Sequence, residues 1–442
     1  MKPVLYVSHS KRGLFYYNDA SARYRCVFPA EELIANGETA HVIHFSQIDK
    51  IQLTDYRKII FHRPKQSLKL WLTIKTLKKN TIEHWVDFDD LLFCPKLSSA
   101  SAAVQSGKMS VALAEKHAKR YFKALQLFTN YQVSTDALSY ELTKALNATG
   151  STRKEHNIRI SYNKAPERWA KQACIIPSAQ RLEKKIIRYL PGTSHHKHDF
   201  AHVEIFLAQL LRENPDYHLN IIGELEFDTR LFPNTQISQT PFQPFEQLPS
   251  LINDSWIIIA PLVDNRFNRC KSGLKFWEGG IFGIPVISSP LKDIERFKNK
   301  GLCISDKLDD WKNFIRDMEI PENYELASKQ VKNYSAQAFF KQEATNYRYQ
   351  YLKLTSEFSP RWPAALINPV TRTNKLICAY KETMGFDSDK NITLLLSLAN
   401  NSIKSDIPAT KYKVIRKLKK LASSPTSFFK DSKYFNFTPP KD

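Results

Sequence analysis

The sequence predicts two α/β units, each a parallel sheet with helices on both faces, facing one another across a cleft and followed by a basic amphipathic region. Three observations carry this. Short β-prone runs alternate with helix-length patterns through roughly the first 340 residues, which is the rhythm of βαβ units. A polar, charged stretch at 150–169, containing Gly150 and Pro166, divides that rhythm into two series. Beyond residue 360 the pattern gives way to a cationic segment with interspersed aromatics. The expected boundaries are 1–165 and 166–340 for the two Rossmann-like units, 341–360 for a closing helix and 361–442 for the basic region.

In the first series Val4–Ser8, Ala40–His44 and the runs 58–61, 85–88 and 126–129 are strand candidates. Residues 21–36 place Cys26, Val27, Ala30, Leu33 and Ile34 at helical spacing, and Gly37 supplies a stop. In the second series the strand candidates are 186–190, His218–Ile222, 256–260, 285–288 and 302–305. A helix over 199–213 carries Val203, Phe206, Leu207, Leu210 and Leu211 on one stripe and ends before Pro215. A long polar and aromatic pattern at 335–354 reads as the helix that closes the second unit. Two such sheets offer a ligand crevice at the carboxyl ends of their strands.

Composition narrows the class. A chain of 442 residues predicts about two to three domains, and 42% apolar with 25% charged residues is that of a folded globular protein. The longest apolar stretches, 256–263 and 392–398, fall far short of the about 20 residues that span a bilayer. The run at 4–7 is too short for a signal-peptide core. Six cysteines without CxxC or other zinc spacing read as reduced thiols of a cytoplasmic protein. The 65 basic against 44 acidic residues leave +21, which calls for an anionic partner.

Residues 361–442 hold 15 of the basic and 6 of the acidic side chains. Within them KYKVIRKLKKL, at 411–421, carries six cations in eleven residues, with Val414, Leu418 and Leu421 along one stripe. Phe428, Phe429, Tyr434, Phe435 and Phe437 follow. A cationic amphipathic helix beside an aromatic cluster fits an anionic membrane surface; the alternative is a solvated helix docked on the protein itself.

The chemistry concentrates at 256–289. A buried strand runs into a loop with Asp264, Asn268, Lys271, Ser272 and Gly273. Ser272 is the expected N-cap of a helix that reaches the glycine-rich 279–283. Lys271, Lys275 and Glu278 then share one face. The lysines and the helix N–H groups would neutralise a diphosphate, and Glu278 would accept hydrogen bonds from sugar hydroxyls. The alternative is an exposed helix face with i, i+3 and i+4 pairing. Arg23, Arg25 and Arg63 are candidates for phosphate or acceptor contacts, or for salt bridges. Two apparent metal motifs read otherwise: Asp87-x-Asp89-Asp90 as structural carboxylates closing a strand, and His195-His196-x-His198-Asp199 as a loop and helix start beside the cleft. No metal site is expected.

WIIIAPLVDNRFNRCKSGLKFWEGGIFGIPVISS, at 256–289, resembles the donor-binding segment of GT-B glycosyltransferases in the large group related to family 4. Glu278 matches the second glutamate of that group's motif, which binds the nucleotide ribose, while Cys270 stands where the first glutamate is usual. Asn268, Lys271, Ser272, Lys275 and Glu278 match the variant found in capsule and lipopolysaccharide transferases. Ser21–Arg25 with Pro29-Ala30, FHRP at 61–64 and WVDFDDLLF at 85–93 are similar to segments of the acceptor-side domain. LPGTSHHKHDF at 190–200 and 218–223 are similar to the opening of the donor domain. RKLKKLASSPTSFFKDSKYF, at 416–435, resembles an element near the ends of bacterial polysaccharide and lipopolysaccharide biosynthesis proteins.

The resemblance implies a GT-B enzyme that moves a sugar, with retention, from a nucleotide-sugar co-substrate to a surface-glycan or lipid-linked acceptor. It implies no cofactor and no metal, and a place on the inner face of the cytoplasmic membrane. Lys271 and Glu278 would be its catalytic residues. Gly192, Thr193, His198, Asp199, Asp264, Asn268, Ser272, Gly273 and Lys275 would bind the donor, and Arg23, Arg25 and Arg63 would face the acceptor. Cys270 motivates an alternative, a catalytically silent homologue that scaffolds an assembly complex. The charge motivates another, nucleic-acid binding, but no nucleic-acid motif is present and no such partner is expected.

Overall fold

Strand β1 (Val4–Ser8) is buried along its whole length, as a central parallel strand covered on both faces must be. Around it β2 (Ala40–His44), β3 (Lys58–His62), β4 (Glu83–Phe88), β5 (Asn130–Val133) and β6 (Asn157–Ile160) form a sheet of order β2-β1-β3-β4-β5-β6, parallel throughout. After a two-residue strand β7 (Ala165–Pro166), the strands β8 (Ile186–Tyr189), β9 (His218–Ile222), β10 (Ile237–Thr240), β11 (Ile257–Ala260), β12 (Val286–Ser288) and β13 (Leu302–Ile304) form a second parallel sheet, β10-β9-β8-β11-β12-β13. Strand β14 (Phe339–Phe340) returns to pair with β7. This is a computed structural model that describes residues 2–148, 156–172, 176–192, 196–299, 301–336 and 339–340, all within one compact unit spanning Met1–Glu357.

The helices that matter for the site are α1 (Phe28–Ala35), α2 (Leu68–Lys79), α3 (Val111–Leu125), α4 (Asp136–Asn147), α5 (Lys197–Glu213), α6 (Leu274–Gly280), α7 (Leu308–Asp317) and α8 (Pro321–Ser335). Ser67, Ser110 and Thr135 cap α2, α3 and α4, each side chain accepting a backbone N–H three residues on. The helical run at 21–36 is interrupted. Residues Arg23–Val27 form a π turn before α1. Pro29 has no N–H to give and its ring would crowd the carbonyl of Arg25, so the wider turn resolves a clash that a regular α-helix could not.

Each sheet reverses its strand order once, between β1 and β3 in the first and between β8 and β11 in the second. Crevices open outside the carboxyl ends of the strands at such switch points. In the second lobe the residues that follow β8, 190–192, and the loop at 261–273 therefore border one crevice. The β11 residues Ile257, Ile258 and Ile259 are fully buried, each contributing about 1.5–3 kcal/mol of burial free energy. Helix α6 closes against β11 and α8 because Gly279 and Gly280 carry no side chain. A Cβ at Gly279 would lie 2.8 Å from Ile258, and one at Gly280 would overlap Ser335 Oγ.

An apolar cluster runs continuously from Val4, Tyr24 and Phe28 of the first lobe to Ile258, Phe276 and Trp277 of the second. Trp169 and Phe245 join it with ring centroids 4.7 Å apart, and Phe245 lies 5.6 Å from Phe28.

Several expectations are corrected. The strand placed at 126–129 lies at Asn130–Val133, because the apolar Leu127 and Phe128 belong to the turn that packs behind α3. The polar stretch 150–169 is not simply a crossing: Asn157–Ile160 adds the sixth strand, at an edge where alternating polar residues are tolerated. Strand β10, also at an edge, was not expected. The helix placed at 335–354 fits poorly at its start, since Ser335 ends α8 and residues 339–340 are extended. The closing helix at 341–360, the segment 411–421 and the aromatic cluster lie outside the described residues. No helix among the described residues is long and apolar enough to cross a membrane.

Candidate functional site

The loop after β11 is organised by Asp199, in the first turn of α5. Its carboxylate accepts the Val263 N–H at 2.9 Å, the Asn268 amide at 3.3 Å and the His196 ring at 2.7 Å. Burial works against its charge, but the His196 bond, the Lys271 ammonium and the Val263 N–H outweigh it and hold the carboxyl below its usual range. Asn268 is itself buried and ties the loop by donating to the Val263 carbonyl at 2.9 Å. Asp264 stays outside, in a two-pronged pair with Arg269.

Lys271 ends a short 3-10 turn, Asn268–Cys270, in extended conformation. Its Nζ is buried and has no hydrogen-bond partner among the described residues. It acts electrostatically on Asp90 of the first lobe and on Asp199 of the second. A buried ammonium without an acceptor costs several kilocalories per mole unless an anion meets it. That is the most distinctive feature of the crevice.

The helix that follows departs from expectation. It starts at Leu274 with Gly273 as N-cap, and Ser272 does not cap it. The Ser272 hydroxyl instead accepts from Asn163 at 3.0 Å, and the Gly273 N–H is taken by Asp293 at 2.7 Å. Lys271 is therefore not on the face of Lys275 and Glu278. Lys275 bonds Glu278 Oε2 at 2.6 Å, and Tyr24 from the π turn donates to Oε1 at 3.0 Å. Glu278 is 4% exposed; both of its oxygens are held by protein donors.

Further bonds close the lobes on this loop. Thr135 donates to the Cys270 carbonyl at 3.0 Å, and Arg266 makes two bonds to Glu141, at 2.5 and 2.6 Å. Cys270 is buried; burial, with Glu141 and Asp90 adding, pushes its thiol up to about 12. It is a neutral packing residue.

At the first lobe's switch point the arginines separate. Arg25 is consumed inside: it grips both oxygens of Asp87, at 3.0 and 2.5 Å, and donates to Ser161 and Asn163. Of the two expectations for Arg25 this is the salt bridge, and it replaces the contact with an acceptor. The π turn directs it toward the sheet. Arg23 donates to the Tyr17 carbonyl and stacks over Phe245 at 4.2 Å, with its Nε buried and without a partner among the described residues. Arg63, one-quarter exposed, bonds Asp89 at 2.5 Å from a strand-end residue with φ of 49°. Ser21 and His62 bond the same carboxylate at 2.5 and 3.2 Å. Burial would raise Asp89, but Arg63 and His62 hold it well below the usual carboxylate range. Asp87 and Asp89 are thus structural carboxylates clasped by cations.

Gly192 sits beside the crevice in left-handed conformation, φ 76°, which glycine adopts without cost. His198 is exposed on the first turn of α5. Thr193 and His195 lie outside the described residues. Tyr24, Thr135 and Glu141 are contacts that sequence reasoning passes over. Their partners lie 254, 135 and 125 residues away, and no local pattern announces them. His62 does have a signal, a polar residue closing the apolar run of Ile59, Ile60 and Phe61.

No family model matches the chain, and no curated protein matches it in sequence. Solved structures match its fold. Anabaena Alr3699/HepE, in complex with UDP and glucose, aligns with a TM-score of 0.51 at 10% identity, over 81% of this chain and all of that one. A glycosyltransferase from Rickettsia africae gives 0.53 at 10%, over 80% and 98%. An alpha-glucosyltransferase in complex with UDP-glucose and DNA containing an abasic site gives 0.52 at 12%, over 80% and 99%. At these identities the likeness is one of fold, and the described residues have the GT-B fold: two Rossmann-like lobes facing across a cleft.

Proposed function

We propose that this protein is a glycosyltransferase that moves a sugar from a nucleotide-sugar donor to a surface-glycan or lipid-linked acceptor. The observation that carries the reading is the buried Lys271 ammonium at the switch-point crevice of the second lobe, without a hydrogen-bond partner among the described residues. A donor diphosphate is an anion of the right kind for it. Support comes from the sequence segment at 256–289 and from structures of the same fold that hold UDP or UDP-glucose.

In this reading Lys271 meets the diphosphate, and its charge stabilises the negative charge that builds on the leaving oxygen as the anomeric bond breaks. Lys275 supplies a second cation nearby, and Glu278 exchanges its bond from Tyr24 for the ribose hydroxyls. Asp199 and Asn268 hold the loop that carries Lys271. Closure of the lobes aligns acceptor and donor. The cations make a metal unnecessary in this scheme, and retention follows from the family resemblance.

The test is a thermal-shift series with UDP-, GDP-, CMP- and ADP-sugars. A donor at 100 times its dissociation constant raises stability by about 2.7 kcal/mol. One nucleotide class is expected to shift the wild type and not Lys271→Ala; no shift with any donor would sink the reading. A second reading, a catalytically silent homologue, is favoured by one observation: Cys270 is buried and neutral where the family's first glutamate is usual. Nucleotide binding without sugar transfer or donor hydrolysis would select it.

A further inference from the structure

Helix α2 has two apolar faces. Leu70, Ile74 and Leu77 are buried against the sheet, while Leu68, Trp71 and Leu72 are 72%, 45% and 49% exposed on the opposite side. The first turn of α3 exposes Val111 and Leu113 by 44% and 43%. Bonds between Arg120 and Gln66, at 3.0 and 3.1 Å, stitch the two helices together. Beside Gln66 lie a depression of about 390 Å³ lined by Ser67, Leu68, Trp71 and Leu127, and one of about 290 Å³ lined by Ala112, Lys116, Lys119, Arg120 and Lys123. Apolar side chains and cations thus share one surface.

The charge on it is one-sided. Helices α2 and α3 hold eight lysines and arginines and the single carboxylate Glu115, which lies 3.9 Å from Lys119; Asp49 pairs with Lys69. Lys65 behind them is held down to about 8 by burial and by Lys11 and Arg120, so the cations crowd one another. Crossover helices run back against their strands, and the first turns of α2 and α3 therefore lie at the carboxyl-end rim of the sheet, the rim that borders the cleft.

We propose that this α2–α3 surface of the first lobe docks on an anionic lipid bilayer, with Leu68, Trp71 and Leu72 entering the headgroup boundary and the α3 cations meeting lipid phosphates. Charge complementarity selects the occupant. Residues 361–442 are themselves strongly basic and would be repelled. Nucleic acid would match the charge, but its interfaces are polar and have no use for a cluster of exposed leucine, tryptophan and valine side chains. The surface stands apart from the donor crevice, so the proposal does not depend on sugar transfer.

The experiment is flotation of the full-length chain with vesicles of phosphatidylcholine, alone or mixed with phosphatidylglycerol. The variants compared are Leu68→Ser/Trp71→Ser/Leu72→Ser, Lys116→Glu/Lys119→Glu/Lys123→Glu, and the control Ile205→Ser/Leu326→Ser, which alters exposed apolar residues of the second lobe. The wild type and the control are expected to bind anionic vesicles equally. Both surface variants should lose at least about tenfold in partitioning with the C-terminal region intact, and wild-type binding should weaken as salt rises. Should the apolar variant prove unstable by its thermal midpoint, the charge-reversal variant decides alone. Unchanged binding by a folded surface variant would overturn the proposal and assign attachment elsewhere in the chain. So would failure of the wild type to bind anionic vesicles, or a surface-dependent affinity for duplex DNA with none for vesicles.

Discussion

The Tyr24 hydroxyl donates to Glu278 Oε1 at 3.0 Å, joining the π turn of the first lobe to helix α6 of the second across 254 positions of sequence. Burial and the neighbouring Glu278 charge raise the Tyr24 pKa well above its ordinary value, so it stays a donor at any physiological pH. Tyr24→Phe leaves a buried carboxylate oxygen with one partner fewer and should cost about 1.5–3 kcal/mol in urea unfolding. Glu278→Gln tests the other half. It keeps the shape but removes the charge, and nucleotide-sugar affinity by calorimetry should fall at least about tenfold. Donor affinity that survives Glu278→Gln would leave the carboxylate a purely structural anchor for Tyr24 and Lys275.

Lys271 sets up the opposite trade. Its buried ammonium has no acceptor among the described residues, and Asp90 and Asp199 keep Arg63 and His196 as partners without it. Lys271→Met replaces a desolvated charge by an apolar chain of similar length and should stabilise the unliganded protein by about 1–3 kcal/mol. The same variant should lose the nucleotide-sugar thermal shift. A lower melting midpoint would mean that the lysine has a structural acceptor, and the crevice would then need no anion.

Much of the fold is legible because parallel strands advertise themselves as short apolar runs: Ile257–Ala260 and Val4–Ser8 stand where the pattern puts them. Of the four edge strands Ala40–His44 and Leu302–Ile304 are legible in the same way, but Asn157–Ile160 and Ile237–Thr240 are not, since they are half polar and carry the marks of a loop. The site was legible as a segment but not as a geometry. The segment from Asp264 to Glu278 is legible as a cluster, yet Ser272 is no cap, because the helix starts one residue later with Gly273 as its N-cap and the Ser272 hydroxyl is held by Asn163. Arg25 reads in sequence as a candidate for a phosphate or acceptor contact or for a salt bridge, and only the π turn at Pro29 shows that it faces Asp87. Pairings such as Glu141–Arg266 depend on how two lobes meet, which no local spacing encodes.

Gly280 is a packing requirement. A Cβ there overlaps Ser335 Oγ and comes within 3.1 Å of Val331, both on α8, whose backbone cannot retreat without opening the core. Gly280→Ala should therefore destabilise by about 1–3 kcal/mol by overpacking, despite the better helix propensity of alanine. Pairing it with Ser335→Gly should recover part of the loss, because the worst overlap is with that side chain. A Gly280→Ala protein with an unchanged denaturation midpoint would show that α6 and α8 are less closely packed.

Lys65 gives the surface of the first lobe a titration of its own. Burial, Lys11 and Arg120 bring its pKa to about 8, against about 10.4 for an ordinary lysine. The folded state therefore releases this proton at lower pH than the unfolded chain does. Between about 8 and 10.4 the unfolded state binds more protons, so this group's contribution to stability rises as pH increases through that window. Reductive methylation with a carbon-13 label should reveal one lysine resonance titrating near 8 by NMR. Arg120→Gln removes one of the repelling cations and should move that midpoint upward. Addition of anionic vesicles should move it the same way if the α2–α3 surface meets lipid phosphates, because nearby negative charge favours the ammonium form. A midpoint near 10.4 in the untreated protein would mean that Lys65 is fully solvated and that the cations of this surface do not crowd one another.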